Sequence, residues 1–353
     1  MKRTVLVVCL AVIAAIAACT GPGPVAPAPG PTPATAKAAT AHTFTKIADG
    51  IYAAVGTGTV NVGSNSAVIV NDTDVMVVDS HITPAAARTL VDEITTLTDK
   101  PVKFLVDTHF HFDHAHGNQV FGPDVQIIGH EFTRDALATG QSLGASFQSF
   151  TVDLPAQIDG LRQKVARETN PDEKAKVEQQ LKTSTDYSEA LKEITPTPPN
   201  VTLRTGLTIY RGTREIQLLY LGRGHTGGDV VVYLPKERVV ATGDLLTAAL
   251  SFMGDAYANE WPATLEALKQ VDFDWVIPGH GQPYRGKANL ENFQKYLEDF
   301  WAQASALHAK GISAEEAASQ IDMTSHQAAY ASITKPGVDI RAVQRAFAVM
   351  EGK

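Results

Sequence analysis

The stretch Val106-Asp107-Thr108-His109-Phe110-His111-Phe112-Asp113-His114 decides how the rest of the chain is read. Three histidines and one carboxylate lie between positions 109 and 114. The apolar run at 102–106 before them reads as a buried strand. Side chains alternate along extended chain, so His109, His111 and Asp113 project from one side as the chain leaves the sheet. His114 then points elsewhere, which suits a second metal. Neutral imidazole and carboxylate are the usual ligands of catalytic zinc. One histidine at a strand end is most often a satisfied core residue; this spacing of four groups points to metal.

Three further stretches carry chemistry at distance: Gly222-Arg223-Gly224-His225-Thr226-Gly227-Gly228-Asp229, Thr242-Gly243-Asp244 and Pro278-Gly279-His280-Gly281. With the first stretch they resemble, in family order, the motifs of the metallo-β-lactamase-fold hydrolases. Each follows a strand or sits in a glycine-rich loop. The resemblance covers residues 44–281 and, more weakly, the helices after them. It implies one metal on His109, His111 and His225, another on Asp113, His114 and His280, and Asp244 bridging both. Seven such ligands exceed what one tetrahedral zinc uses. Two Zn2+ ions are therefore expected, with iron or another divalent metal as the alternative. The family pattern implies a hydroxide held between the metals that attacks a carbonyl, with Asp113 as the catalytic residue that orients it and relays its proton.

Other positions are expected to support this centre. Asp79 ends an apolar strand and reads as an orienting carboxylate or a strand-end turn residue. His81 reads as a surface or supporting residue and not a ligand. His116 reads as a partly exposed loop histidine or a cleft residue. Arg223 is a candidate to hold a substrate carboxylate, as is the loop at 61–66.

The chain starts with Met1-Lys2-Arg3 and an apolar run at 4–18, too short to span a bilayer comfortably, which reads as a secretory signal. Ile16-Ala17-Ala18-Cys19 resembles the bacterial lipobox, which implies lipidation at Cys19; the alternative is an ordinary signal peptide cut near Ala18. The expected organisation is a signal peptide at 1–18, a lipidated Pro/Ala-rich tether at 19–43 and a catalytic domain at 44–353. That describes an exported lipoprotein of the periplasm or cell surface, touching the membrane through its anchor only. Cys9 and Cys19 are the only cysteines, so the domain has no disulfide, no thiolate nucleophile and no cysteine ligand. A net charge of -8 without a basic run gives nucleic-acid binding no support.

The coarse pattern is α/β. Residues 44–79 read as a strand meander, and Thr83-Pro84 as a helix start with a helix running to about Leu97. Strands follow at 125–128, 201–220, 230–234, 239–241 and 273–277. His130 opens a helix as a structural residue. Residues 139–199 depart from the minimal fold: Ile158, Leu161 and Val165 at helical spacing and Asn170-Pro171-Asp172-Glu173 as a cap predict a helical hairpin, either a lid or a homodimer contact. Helices are expected from Trp261, over 290–308, after Ser313 and over 338–350. The hairpin-then-metal-loop plan occurs twice, which predicts a four-layer αββα metallo-β-lactamase sandwich with a helical insertion and C-terminal helices.

The function expected is an exported zinc-dependent hydrolase acting on a small-molecule carbonyl, ester or amide, most similar to exported quinoprotein-relay-like and glyoxalase II-like members. The alternatives are a β-lactamase, a glyoxalase II-like thioesterase, a mononuclear iron persulfide dioxygenase and a non-catalytic binding module.

Overall fold

Along β4 (Val75–Val78), Met76 and Val78 face one way, Val75 and Val77 the other, and all four side chains are buried. A strand apolar on both faces needs cover on both sides. A computed structural model, which describes residues 40–353, shows that cover. Seven strands form one sheet in chain order: β1 (His42–Ala48), β2 (Ile51–Gly56), β3 (Ser66–Val70), β4, β5 (Val102–Val106), β6 (Gln126–His130) and β7 (Val201–Leu203). Six form the other: β8 (Gly206–Arg211), β9 (Arg214–Tyr220), β10 (Val230–Leu234), β11 (Val239–Gly243), β12 (Trp275–Pro278) and β13 (Tyr284–Arg285).

Three apolar clusters separate four layers. Between the sheets, Ile69, Met76, Val78 and Val106 meet Leu218, Val230, Val232 and Ile277. On the outer face of the first sheet, Val75, Val77 and Leu105 pack against Ala87, Leu90 and Ile94 of α1 (Pro84–Ile94). On the outer face of the second, Val231, Val240 and Val276 meet Trp261 and Leu265 of α7 (Trp261–Lys269) and Phe293 and Phe300 of α8 (Ala288–His308). The αββα sandwich read from the sequence is the observed architecture. Thr83 caps α1 by accepting from the Ala86 amide at 3.1 Å, as its place before Pro84 predicts, but the helix ends at Ile94 and not Leu97.

The parallel pairs β4–β5 and β11–β12 bring four strand ends to one edge. The turn after β4 carries Asp79, the loop after β5 the histidine stretch, and β11 and β12 run into Asp244 and His280. Ligands in α/β sheets gather outside the carboxyl ends of parallel strands. The two sheets are stitched there: Val230 N donates to Thr108 O at 2.8 Å, and the Asn65 amide donates to Gly279 O at 2.7 Å.

The insertion is helical, as expected: α4 (Ala145–Thr151), α5 (Leu154–Arg167) and α6 (Pro171–Ala190) follow the short α3 (Glu131–Ala138). The α5–α6 hairpin closes on Leu154, Ile158 and Val177, while Leu161 and Val165 are half-buried. Asn170 caps α6 by accepting from the amides of Asp172 and Glu173. Two more helices complete the chain, α9 (Ala314–Gln320), capped by Ser313, and α10 (Ile340–Met350).

The folded part begins before the expected boundary at 44. β1 starts at His42, and Glu93 of α1 accepts from the amides of both Ala41 and His42. The signal, the lipidation site Cys19 and most of the tether lie outside the described residues. Among the described residues no helix is long and apolar enough to cross a membrane.

Candidate metal centre

β5 ends at Val106, and residues 107–111 leave the sheet as extended chain. The alternation expected through Asp113 stops at His111, because Phe112–Ala115 form a single helical turn, α2. That turn brings Asp113 and His114 round beside each other and into a second group of potential ligands.

Three sets of ligand atoms converge: His109, His111 and His225; His109, His114 and Asp244; and Asp113, His114 and His280. His111 Nδ1 lies 2.9 Å from His225 Nε2. Asp244 stands between the sets, with Oδ1 3.4 Å from His114 Nε2 and Oδ2 3.6 Å from His225 Nε2 and 3.3 Å from His280 Nε2. Asp113 Oδ2 is 3.2 Å from His280 Nε2. The seven residues singled out in the sequence therefore meet at one place.

Several of these atoms have no hydrogen-bond partner despite full burial: His109 Nε2, His114 Nε2 and Asp244 Oδ1. An unpaired buried polar atom costs about 1–3 kcal/mol. A cluster of them directed at one another fits a bound cation. The protonation pattern agrees for His109 and His225, whereas the carboxylates around His114 and His280 outweigh burial and raise both, so these two must give up a proton to bind metal. Burial depresses His109 well below its ordinary value and His225 to about 3, so both are neutral, the form that binds metal. Burial opposes ionisation of Asp244 and Asp113, but the neighbouring histidines His280 and His114 outweigh it and hold both carboxylates ionised. Asp244 in turn pushes His280 up to about 10. These residues fit divalent metal at the shared strand ends, and Gly279 allows the approach: a Cβ there would strike Asp244 and the ring of His114.

Asp79 is more than a turn residue: its contacts are those an orienting carboxylate would make. Its Oδ1 accepts from the Thr108 amide at 2.8 Å, and its Oδ2 accepts from Thr108 Oγ1 and pairs with His114 Nδ1 at 2.7 Å. It does this from a left-handed backbone, φ 64°, which side chains with a Cβ rarely adopt. Such carboxylate–histidine pairs fix which ring nitrogen faces a metal.

Three expectations need correction. His81 is not at the surface: it is fully buried, with Nε2 2.9 Å from His42 Nε2, because its own left-handed backbone, φ 72°, turns it inward against β1. His116 is neither partly exposed nor in the cleft; it is buried against Phe112 and Phe147 at the end of α2. Arg223 does not face the cleft. It pairs with Glu260 and lies over the Tyr257 ring at 4.2 Å, turned outward by the loop that points His225 inward. In that loop Gly224 lies against Leu245 and Trp261, and Gly227 and Gly228 lie against Phe132. His130 is structural, as expected, and caps α3 through Nδ1.

Sequence reading missed Asp255, whose Oδ2 pairs with His111 Nε2 at 2.9 Å. It also missed Tyr187 and Ser146, which the insertion contributes to the cleft. No spacing rule signals a side chain brought in by an insertion.

The cleft in front of the ligands has a volume of about 410 Å³. Phe112, Phe150, Leu250 and Phe252 make its apolar wall, with Tyr187, Asp113 and His280 on the polar side. No lysine or arginine lines it among the described residues. Burial and the charge of Asp113 keep the Tyr187 phenol protonated, so it is a hydrogen-bond donor.

Comparison with known proteins gives the same direction. A linear primary-alkylsulfatase of a Pseudomonas species is 25% identical over 273 residues, 72% of this chain; the match spans only 49% of that relative's own length. A metallo-beta-lactamase type 2 of Bacteroides fragilis is 22% identical over 269 residues, covering 73% of this chain and 86% of the relative. Among solved structures, a metallo-beta-lactamase from Pontibacter korlensis superposes with a TM-score of 0.52 at 20% identity, over 73% of this chain and 99% of that one, a likeness of fold. Residues 60–280 match the metallo-beta-lactamase superfamily as a whole, and the chain belongs to that superfamily, whose matched members are hydrolases.

Proposed function

We propose that the chain is a zinc-dependent hydrolase with two metals, exported and held at the membrane by Cys19, that cleaves an ester-type or amide bond in a small, largely apolar substrate. The observation that carries this reading is the convergence of seven buried or half-buried candidate ligands, among which His109 Nε2, His114 Nε2 and Asp244 Oδ1 are buried with no hydrogen-bond partner. His109, His111 and His225 would hold one ion, Asp113, His114 and His280 the other, and Asp244 lies between them. Zinc in such a site lowers the pKa of a water to about 7 and polarises the substrate oxygen.

The chain's own residues supply the rest. Asp113 is ionised and faces the cleft, so it orients the attacking water and carries its proton to the leaving group. Tyr187 donates a hydrogen bond to the substrate from the roof. The Phe112, Phe150 and Phe252 rings exclude water and take the apolar part of the substrate.

Among the described residues no lysine or arginine lines the cleft and Arg223 is committed to Glu260, so an anionic substrate group finds no cationic side chain there. A second reading within the same chemistry is hydrolysis of an alkyl sulfate. The aromatic wall favours it, as does the similarity to an alkylsulfatase, which spans 49% of that protein's length. The test is metal content of the purified domain followed by a hydrolysis screen across carboxylic esters, thioesters, lactones, β-lactams and alkyl sulfates. Two zincs with turnover of an apolar ester or sulfate are expected. A single iron with no hydrolysis would replace this reading with the persulfide dioxygenase alternative.

A further inference from the structure

We infer that Asp255 is a positioning residue that fixes the ring of His111, and that Ser146 ties it to the insertion; this rests on the two-metal reading above. His111 presents Nδ1 to His225 at 2.9 Å and Nε2 to Asp255 Oδ2 at 2.9 Å. A carboxylate only accepts, and a neutral imidazole carries one N–H. The proton of His111 therefore sits on Nε2, and the lone pair of Nδ1 is left facing the first ligand set. A ligand histidine that donates its far N–H to a carboxylate is held in orientation and made a stronger donor to metal.

The carboxylate that does this is itself held from the insertion. Ser146 Oγ, in the first turn of α4, donates to the same Oδ2. Asp255 belongs to the connection from β11 to α7, and that connection grips the His225 loop as well, since the Tyr257 amide donates to Gly224 O at 2.8 Å. Phe252 of the same connection packs on His111 at 5.9 Å and on Phe150 of α4 at 5.5 Å. Helix α4 buries no side chain completely; it is seated by these contacts, by Phe147 against Phe112 and His116, and by the bond from Arg341 to Ser149 Oγ. The cleft's roof and the first ligand set thus share one hydrogen-bond chain, Ser146 to Asp255 to His111.

Cobalt(II) binding by the full-length chain, followed by visible absorption and by competition with a chelator, tests this in the wild type, Asp255→Ala, Asp255→Asn and Ser146→Ala. Nitrogen NMR of the metal-free protein reads the His111 tautomer directly. Asp255→Ala should weaken one cobalt site about 10–100-fold, leave the other unchanged and lose the Nε2–H tautomer. Asp255→Asn, whose amide oxygen still accepts, should keep both sites with a smaller loss. Ser146→Ala should shift the absorption of the same site that Asp255→Ala weakens. Wild-type affinity and spectrum in both Asp255 variants overturn the role of Asp255 while leaving the metal centre standing. An unshifted Ser146→Ala spectrum overturns the link to the insertion. A wild type that takes up no cobalt overturns both the inference and the two-metal reading beneath it.

Discussion

Oδ2 of Asp79 lies 2.7 Å from Nδ1 of His114, and both residues are buried. The pair turns His114 Nε2 toward Asp244 and ties the first sheet's β4 end to the second sheet's β11 end. Replacing Asp79 by alanine should weaken metal binding about 10–100-fold. It also orphans the Thr108 amide, at a cost of about 1–3 kcal/mol in stability. Asn at 79, which tolerates the left-handed backbone and keeps an acceptor, should lose less of both. Chelator competition and thermal melting of the two variants check this; equal metal affinity in wild type and Asp79→Ala would contradict it.

His116 should make the protein acid-sensitive. Its ring is buried with neither nitrogen hydrogen-bonded, and burial lowers it to about 4 from 6.5. Between those values the unfolded chain takes up a proton that the folded chain refuses. Stability is therefore unaffected above pH 6.5 and falls as pH drops through that window, by on the order of 3 kcal/mol in full. His116→Phe should flatten the loss. Denaturant midpoints at pH 7.5 and pH 4.5 measure it, and an identical pH slope in both proteins would show that other groups carry the effect.

The insertion should be separable from the fold. Its α5–α6 hairpin buries Leu154, Ile158 and Val177, not residues of the sandwich clusters. Replacing 141–193 by a short Gly/Ser linker should leave a cooperatively folding domain that still binds metal. Substrate range should change, with KM raised more than kcat is lowered, because Phe150 and Tyr187 leave the cleft. A variant that fails to fold or binds no metal would place the segment in the core.

The fold was legible where one period dominates. The apolar run at 75–78 and Thr83 before Pro84 mark a strand and a helix start, and the twice-occurring hairpin-then-metal-loop plan predicted the layers that Met76, Val78, Val75 and Val77 then fill. The candidate ligands were legible because His109 to His114 crowd one stretch, and because the short motifs around His225, Asp244 and His280 resemble, in order, those of a known family. His81 and His116 were misplaced because burial of a loop side chain depends on what packs over it, here β1 and α4. Arg223 was misjudged for a similar reason, since Glu260, its partner, lies 37 positions away. Asp255 reaches His111 across 144 positions, and nothing local to either announces the pair.

The central claim is that Asp244 serves two metal ions. Its two oxygens face different histidines, Oδ1 toward His114 and Oδ2 toward His225 and His280, which a single imidazole nitrogen cannot do. The most direct test is metal stoichiometry by mass spectrometry beside hydrolytic rate, in the wild type, Asp244→Ala and His109→Ala. The wild type should hold two divalent ions. Asp244→Ala should lose the ion at Asp113, His114 and His280 first, His109→Ala should empty the other set, and both should slow hydrolysis by orders of magnitude. Two ions bound at wild-type affinity by Asp244→Ala, with normal turnover, would contradict the shared role.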